Sequence, residues 1–288
     1  MGLENAHAET PKEKLLRSFD KGEMLEMNGE QVRIVDIAPD KLKSQIPTLI
    51  LPGFSATPDA LKDVIIKTAE AGRRVVSSYA PHGIEPGDAE ADLAHAELRK
   101  LALTLKMIEH KNIEKVNVIA NSEASIYLLA AAKMYPEKFA NIVLIEPAGL
   151  YGDDTVWNLL KRTYADMQEN EAQKPTERPA EFPSPRSVGI KSILSNPAAS
   201  LREMRAIVDA DITESLKSVH DAGVRLSIIH AVDDKLFPME NVLERVHADM
   251  VDGFYSIKGT HHSIYQYEPY GEAAEAALTA LERKGEKK

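Results

Sequence analysis

No stretch of the chain restricts its architecture as tightly as Val116 to Met134, VNVIANSEASIYLLAAAKM. Val116, Val118 and Ile119 read as a short buried strand, and Ile126, Leu129 and Ala130 then switch to helical spacing. Between them, Ala120-Asn121-Ser122-Glu123-Ala124 leaves almost no loop. So abrupt a reversal needs small side chains on both sides of its tip, because strand and helix pass close together. It also leaves the tip side chain, Ser122, clear of the backbone at the N-terminus of a helix. That is the geometry of the nucleophile elbow G-x-S-x-G, written here as A-x-S-x-A. A serine that only caps a helix would fit the same residues.

The strand-then-helix pattern extends well beyond this stretch. Thr48-Leu49-Ile50-Leu51 is a continuous apolar run ending at Pro52-Gly53. Thr57 can cap a helix with Pro58 at its first position and Leu61, Val64, Ile65 and Ala69 on its apolar face. Arg74 to Ser78 reads as a strand closing at Pro81-His82-Gly83. Leu98, Leu101, Leu105 and Ile108 mark a longer helix, and Asn141 to Ile145 a further strand. Strands that are apolar throughout belong in a parallel sheet covered by helices on both faces. Such sheets bind and react beyond the carboxyl ends of their strands. Pro52-Gly53, Pro81-His82-Gly83, Ser122 and Glu146-Pro147 all fall there. Upstream, Met24 to Met27, Asn28-Gly29 and Gln31 to Val35 carry a hairpin signal, and residues before it read as a flexible or loosely docked leader.

The alternation breaks from about Tyr151 to Ser215. A helix starts near Trp157, the run QENEAQKPTERPAEFPSPR (168–186) is proline- and charge-rich, and a second helical segment lies near Leu201 to Val208. This predicts an inserted helical cap, with a solvated linker between lobes as the plain alternative. Strand and helix then resume, with strands at Val224 to Ile229 and Gly253 to Ile257 and a last helix from about Gly271. The expected layout is an N-terminal extension (1–22), a core of 23–150 and 216–288, and a cap of 151–215.

Composition narrows the partners. Of 288 residues, 35 are basic and 45 acidic, a formal charge of -10 that disfavours nucleic acid and anionic membranes. The absence of cysteine excludes disulfides, a thiolate nucleophile and Cys-based metal sites. No apolar run approaches the ~18 residues of a membrane span, and the N-terminus lacks the apolar core of a secretion signal. A cytoplasmic protein is the expectation.

A serine hydroxyl needs a base to become nucleophilic, and the base needs an acid to fix its tautomer. After an elbow these follow in chain order, acid first and histidine last. Two stretches qualify. One is His230-Ala231-Val232-Asp233-Asp234-Lys235-Leu236-Phe237-Pro238, and the other is Lys258-Gly259-Thr260-His261-His262-Ser263 with Glu268-Pro269 beyond it. Here the chain resembles the α/β-hydrolase superfamily, whose members often carry G-x-x-D-x-x-x-P and, near the end, G-x-G-H. Aligned on Pro238, the resemblance puts the triad acid on Asp234. Asp233 is its neighbour and Glu146 a rival, since some members place the acid after the strand that follows the elbow helix. It puts the base on His262, with His261 where glycine is usual, or on His261 if the loop is shifted by one. The family's oxyanion turn, commonly His-Gly, maps to Pro52-Gly53, so that the amides of Phe54 and Glu123 would be the donors.

The resemblance spans roughly Gln31 to Ala280 and leaves the cap unmatched. It implies an α/β-hydrolase fold, a mostly parallel sheet flanked by helices, and a carboxylesterase-like serine hydrolase. That enzyme would cleave a carboxylic ester or related acyl bond through an acyl-enzyme on Ser122. It implies no cofactor. Two adjacent histidines rarely converge on one ion and no H-E-x-x-H is present, so no metal is expected. Trp157, Leu160, Tyr164, Met167 and Phe182 from the cap, with Phe237, are candidates to line an acyl pocket for a small-molecule substrate. The cap aromatics would equally fit plain packing of the cap onto the core. A serine at the elbow argues against epoxide hydrolases and haloalkane dehalogenases, relatives that use aspartate there. C–C bond hydrolases, thioesterases, lyases and cofactor-free oxidative relatives share the triad, and a catalytically silent binding or signalling protein on this fold is the rival of another class. A phosphate-binding domain is disfavoured by the glycine-poor Pro52–Ala56 turn. The sequence leaves homo-oligomerisation open.

Overall fold

The computed structural model describes residues 9–27, 30–78, 95–172, 196–265 and 269–286. Asn28-Gly29, Pro81-His82-Gly83, Phe182 and Glu268 lie outside them. Among the described residues eight strands form one sheet: β1 (Glu23–Met27), β2 (Glu30–Ile37), β3 (Thr48–Leu51), β4 (Val75–Ser78), β5 (Val116–Asn121), β6 (Phe139–Ile145), β7 (Arg225–Ala231) and β8 (Gly253–Ile257). Their order is β1-β2-β4-β3-β5-β6-β7-β8. β1 pairs antiparallel with β2, and β2 with β4. All other pairings are parallel. β5 is therefore central, with β3 and β6 as neighbours, and its carboxyl end opens onto both of their exits.

Successive strand residues point to opposite faces, and both faces are apolar. Leu49, Val118, Leu144 and Ile228 share one core with Leu103 and Met107 of α3 (His95–His110), Leu128 of α4 (Ala124–Met134) and Leu216 of α7 (Thr213–Asp221). Ile50, Ile119, Val143 and Ile229 share the other with Phe19 of α1 (Pro11–Lys21), Ile65 of α2 (Lys62–Glu70) and Leu278 of α9 (Pro269–Glu286). This two-sided burial is the physical reason the strands read as unbroken apolar runs.

The leader departs from expectation, because its residues 11–21 form the docked helix α1. Thr10 and Glu13 build a reciprocal capping box with Pro11 at the first helical position. Leu15 and Phe19, four residues apart, are buried, and Arg33 donates to the Phe19 carbonyl at 2.7 Å. Burying a phenylalanine contributes about 1.5–3 kcal/mol, enough to dock an element with so few apolar residues.

Between β6 and α7 the chain inserts α5 (Val156–Ala172) and α6 (Pro197–Asp209). Asn196 caps α6 by accepting from Ala199 N at 3.1 Å. α6 lies against α3, and α5 against the 3-10 turn His261–Tyr265 that follows β8. A last short helix, α8 (Met239–Arg245), separates β7 from β8. No helix among the described residues is long and apolar enough to cross a membrane.

Candidate active site

Ser122 stands at the exit of β5, one residue before Glu123 leads into α4, with φ at 54°. A non-glycine residue in the left-handed region is strained and persists only where its surroundings hold it. Here Ser122 N donates to Ile145 O at 2.9 Å, and Ser122 O accepts from Ala148 N at 3.2 Å and Ser125 Oγ at 2.6 Å. The flanking Ala120 and Ala124 are fully buried, so methyl groups fit where glycines are usual. Gly53, at the exit of β3, cannot carry one. A Cβ there would lie 2.9 Å from Ser122 Cβ and 3.0 Å from Asn121 O. The Pro52–Ala56 turn is thus pressed against the elbow, with Ala56 N closing it on Gly53 O at 3.1 Å.

The imidazole that meets the serine is that of His261. Its Nε2 lies 3.0 Å from Ser122 Oγ and its Nδ1 2.9 Å from Asp234 Oδ2. The expectation that His262 would occupy this place is corrected. The His262 ring turns to Asp166 of α5, with Nδ1 2.6 Å from Asp166 Oδ2. Adjacent side chains in a 3-10 turn diverge by about 120°, so only one of the two can face the serine. Asp234 is where the alignment on Pro238 put it. Its Oδ1 accepts from Leu236 N at 2.7 Å and Phe237 N at 2.8 Å, which leaves Oδ2 for His261. Asp233 is half-buried, and its amide bonds Gly259 O at 3.0 Å.

Burial pushes the His261 pKa down, but the charge and hydrogen bond of Asp234 and the charge of Asp166 outweigh it, and the net shift is upward. Glu146, the rival acid, lies beneath this pair in a left-handed conformation, φ 50°. Its Oε1 accepts from Tyr270 OH at 2.6 Å, while Oε2 has no hydrogen-bond partner among the described residues and lies 3.9 Å from His261 Nδ1. Burial, reinforced by the Asp234 charge, pushes its carboxyl well above the usual range, which favours the uncharged form beside the Asp234–His261 pair. Ligand atoms of Glu146, Asp234 and His261 lie within 4.8 Å of one another. The hydrogen-bond contact between His261 and Asp234 already uses the facing atoms of two of the three.

Sequence reasoning missed a second polar cluster beside the elbow. Lys100 Nζ lies 2.6 Å from Glu123 Oε1 and 3.1 Å from Glu203 Oε2, all three side chains buried. Burial pushes Glu123 and the adjoining Glu97 upward. The aromatic candidates divide. Phe237 is buried, and its ring meets the His261 ring edge-on at 5.2 Å. Trp157 and Tyr164 are 65% and 54% exposed, which corrects their assignment to a pocket. The face of α5 turned inward carries Leu159, Asp166 and Asn170. Asp166 stands about 180° around the helix from Trp157.

This sheet, with a serine elbow after β5, an acid after β7 and a histidine after β8, is the α/β-hydrolase fold. Solved structures that share it include a bromoperoxidase from Bacillus anthracis, 14% identical with a TM-score of 0.62 over 90% of this chain and 98% of that one. A meta-cleavage product hydrolase from Pseudomonas fluorescens IP01 is 14% identical, with a TM-score of 0.61 over 90% and 98% of the two chains. A structure from work on carboxylesterases of Nitrososphaera gargenis is 14% identical, with a TM-score of 0.60 over 91% and 100%. In sequence, a Mycobacterium phage D29 protein that carries the name of a non-heme haloperoxidase is 24% identical over 229 residues, 75% of this chain and 81% of that protein. No protein-family model matches the chain.

Proposed function

We propose that the protein is a serine hydrolase that cleaves a carboxylic ester, or a related acyl bond, through an acyl-enzyme on Ser122. The observation that carries this reading is the continuous relay from Ser122 Oγ through both ring nitrogens of His261 to Asp234, at 3.0 and 2.9 Å. Asp234 holds the proton of the neutral ring on Nδ1, which leaves the Nε2 lone pair facing the hydroxyl. His261 takes the hydroxyl proton as Oγ attacks the acyl carbon, and the imidazolium returns it to the departing alkoxide oxygen. Water, deprotonated by the same nitrogen, then displaces the acyl group and regenerates the serine. The amides of Phe54, in the turn packed on the elbow, and Glu123, at the start of α4, are the assigned donors to the tetrahedral oxyanion. Residues 151–215 are read as the cap over this site, and the reading calls for no cofactor.

The same relay would serve C–C bond hydrolysis, and the likeness to the meta-cleavage product hydrolase favours that as the second reading. A silent binding protein has no need of three side chains held in register. The test is turnover of short p-nitrophenyl esters. The wild-type chain hydrolyses them and Ser122→Ala does not; an equal rate in the variant removes the proposal.

A further inference from the structure

The carboxylate of Asp166 belongs to α5, yet its hydrogen-bond partners among the described residues lie in the two loops that carry the acid and the base. Oδ1 accepts from Lys235 N at 3.0 Å and from His261 N at 3.1 Å. Oδ2 accepts from His262 N at 3.2 Å and His262 Nδ1 at 2.6 Å. One carboxylate therefore joins the residue after Asp234 to His261 itself. Four residues along the helix, Asn170 Nδ2 donates to Thr260 Oγ1 at 3.1 Å and Ser263 Oγ at 3.2 Å. Isolating a carboxylate from water is costly. Here the hydrogen bond and charge of His262, the charge of His261 and the Lys235 amide more than offset that burial, and the pKa falls below the usual range.

We propose that Asp166 is a positioning residue of the triad. It fixes the acid loop and the base loop relative to each other, so that the seating of α5 and the alignment of His261 on Ser122 are one event. The proposal rests on the serine-hydrolase reading above. Its rival is a carboxylate that merely anchors α5 and adds stability.

A pH profile separates the two. The titratable groups around the His261 ring are Asp234, Glu146, Asp166, His230 and His262. The Asp166 charge is one of those that raise the His261 pKa, so its removal moves the acid limb of kcat/KM to lower pH. In the full-length Asp166→Asn variant, kcat for p-nitrophenyl acetate is expected to fall about 10²-fold, as a misalignment of about 1 Å does. KM should change little, and a fluorophosphonate should still label Ser122, slowly. Wild-type kcat and an unmoved acid limb, with only a lower melting temperature, overturn the proposal. Failure of the wild-type chain to label at Ser122 sinks the underlying reading instead. If Asp166→Asn does not fold, His262→Ala removes the 2.6 Å contact and keeps the backbone bonds. Its kcat should fall about tenfold, and an unchanged kcat overturns the proposal.

Discussion

Gly53→Ala adds a single methyl group at a place with no room for it. The new Cβ would stand 2.9 Å from Ser122 Cβ, 3.0 Å from Asn121 O and 3.1 Å from Asn121 Oδ1. Carbon atoms rest about 3.5–4.0 Å apart, so either the Pro52–Ala56 turn or the elbow must retreat by about 1 Å. Its two nearest neighbours are a Cβ on a strained residue and a backbone oxygen, not the far end of a flexible side chain. Overpacking of this kind costs about 1–3 kcal/mol. The catalytic cost is larger, because a shift of about 1 Å at the reacting atoms lowers the rate about 10²-fold. The assay is kcat/KM for p-nitrophenyl acetate beside a thermal melt of the same preparation. A folded variant with kcat/KM reduced about 10²-fold is expected. Wild-type activity and melting temperature would refute the close approach of this turn to the serine.

Two titrations give further tests. In the proposed mechanism His261 serves as base only when neutral, and its pKa is raised above 6.5; kcat/KM should therefore rise with pH through a midpoint above 6.5, and a midpoint below that value contradicts the assignment. Glu146 has a raised pKa, so the folded state binds its proton more tightly than the unfolded state does. Its contribution to stability is complete below about pH 4 and is lost as pH rises through the folded pKa. Glu146→Gln keeps an acceptor for Tyr270 and carries no proton to lose. Its melting temperature should gain on wild type between pH 5 and 8; a constant difference between the two proteins over that range would show that Glu146 does not titrate as described.

The parallel sheet was legible because both its faces are buried, which leaves an unmistakable apolar signature. The position of Ser122 and Asp234 at strand exits was legible because each sits beside a fixed landmark, the strand-to-helix reversal for one and Pro238 for the other. The sequence names His262 first, or His261 if the loop is shifted by one, and it is the His261 ring that lies 3.0 Å from Ser122 Oγ. The G-x-G-H alignment assigned His261 to a glycine position, and only the 3-10 turn decides which of two adjacent rings meets the serine. Trp157 and Tyr164 misled because helical spacing tells which residues share a face, not which face turns inward. Asp166 left no trace, since its donors lie at positions 235, 261 and 262 and converge only in the folded chain. The sequence left α1 as a flexible or loosely docked leader for a similar reason, as its inward face offers little beyond Leu15, Leu16 and Phe19.

The central claim is that Ser122 is activated by His261 and not by its neighbour. Fluorophosphonate labelling followed by peptide mapping, run in parallel on the wild-type chain, His261→Ala and His262→Ala, tests it most directly. The adduct is predicted on Ser122 in the wild-type protein and, more slowly, in His262→Ala, and to be lost in His261→Ala. Labelling of Ser122 that survives His261→Ala but vanishes in His262→Ala, or an adduct on any other residue, would contradict the account.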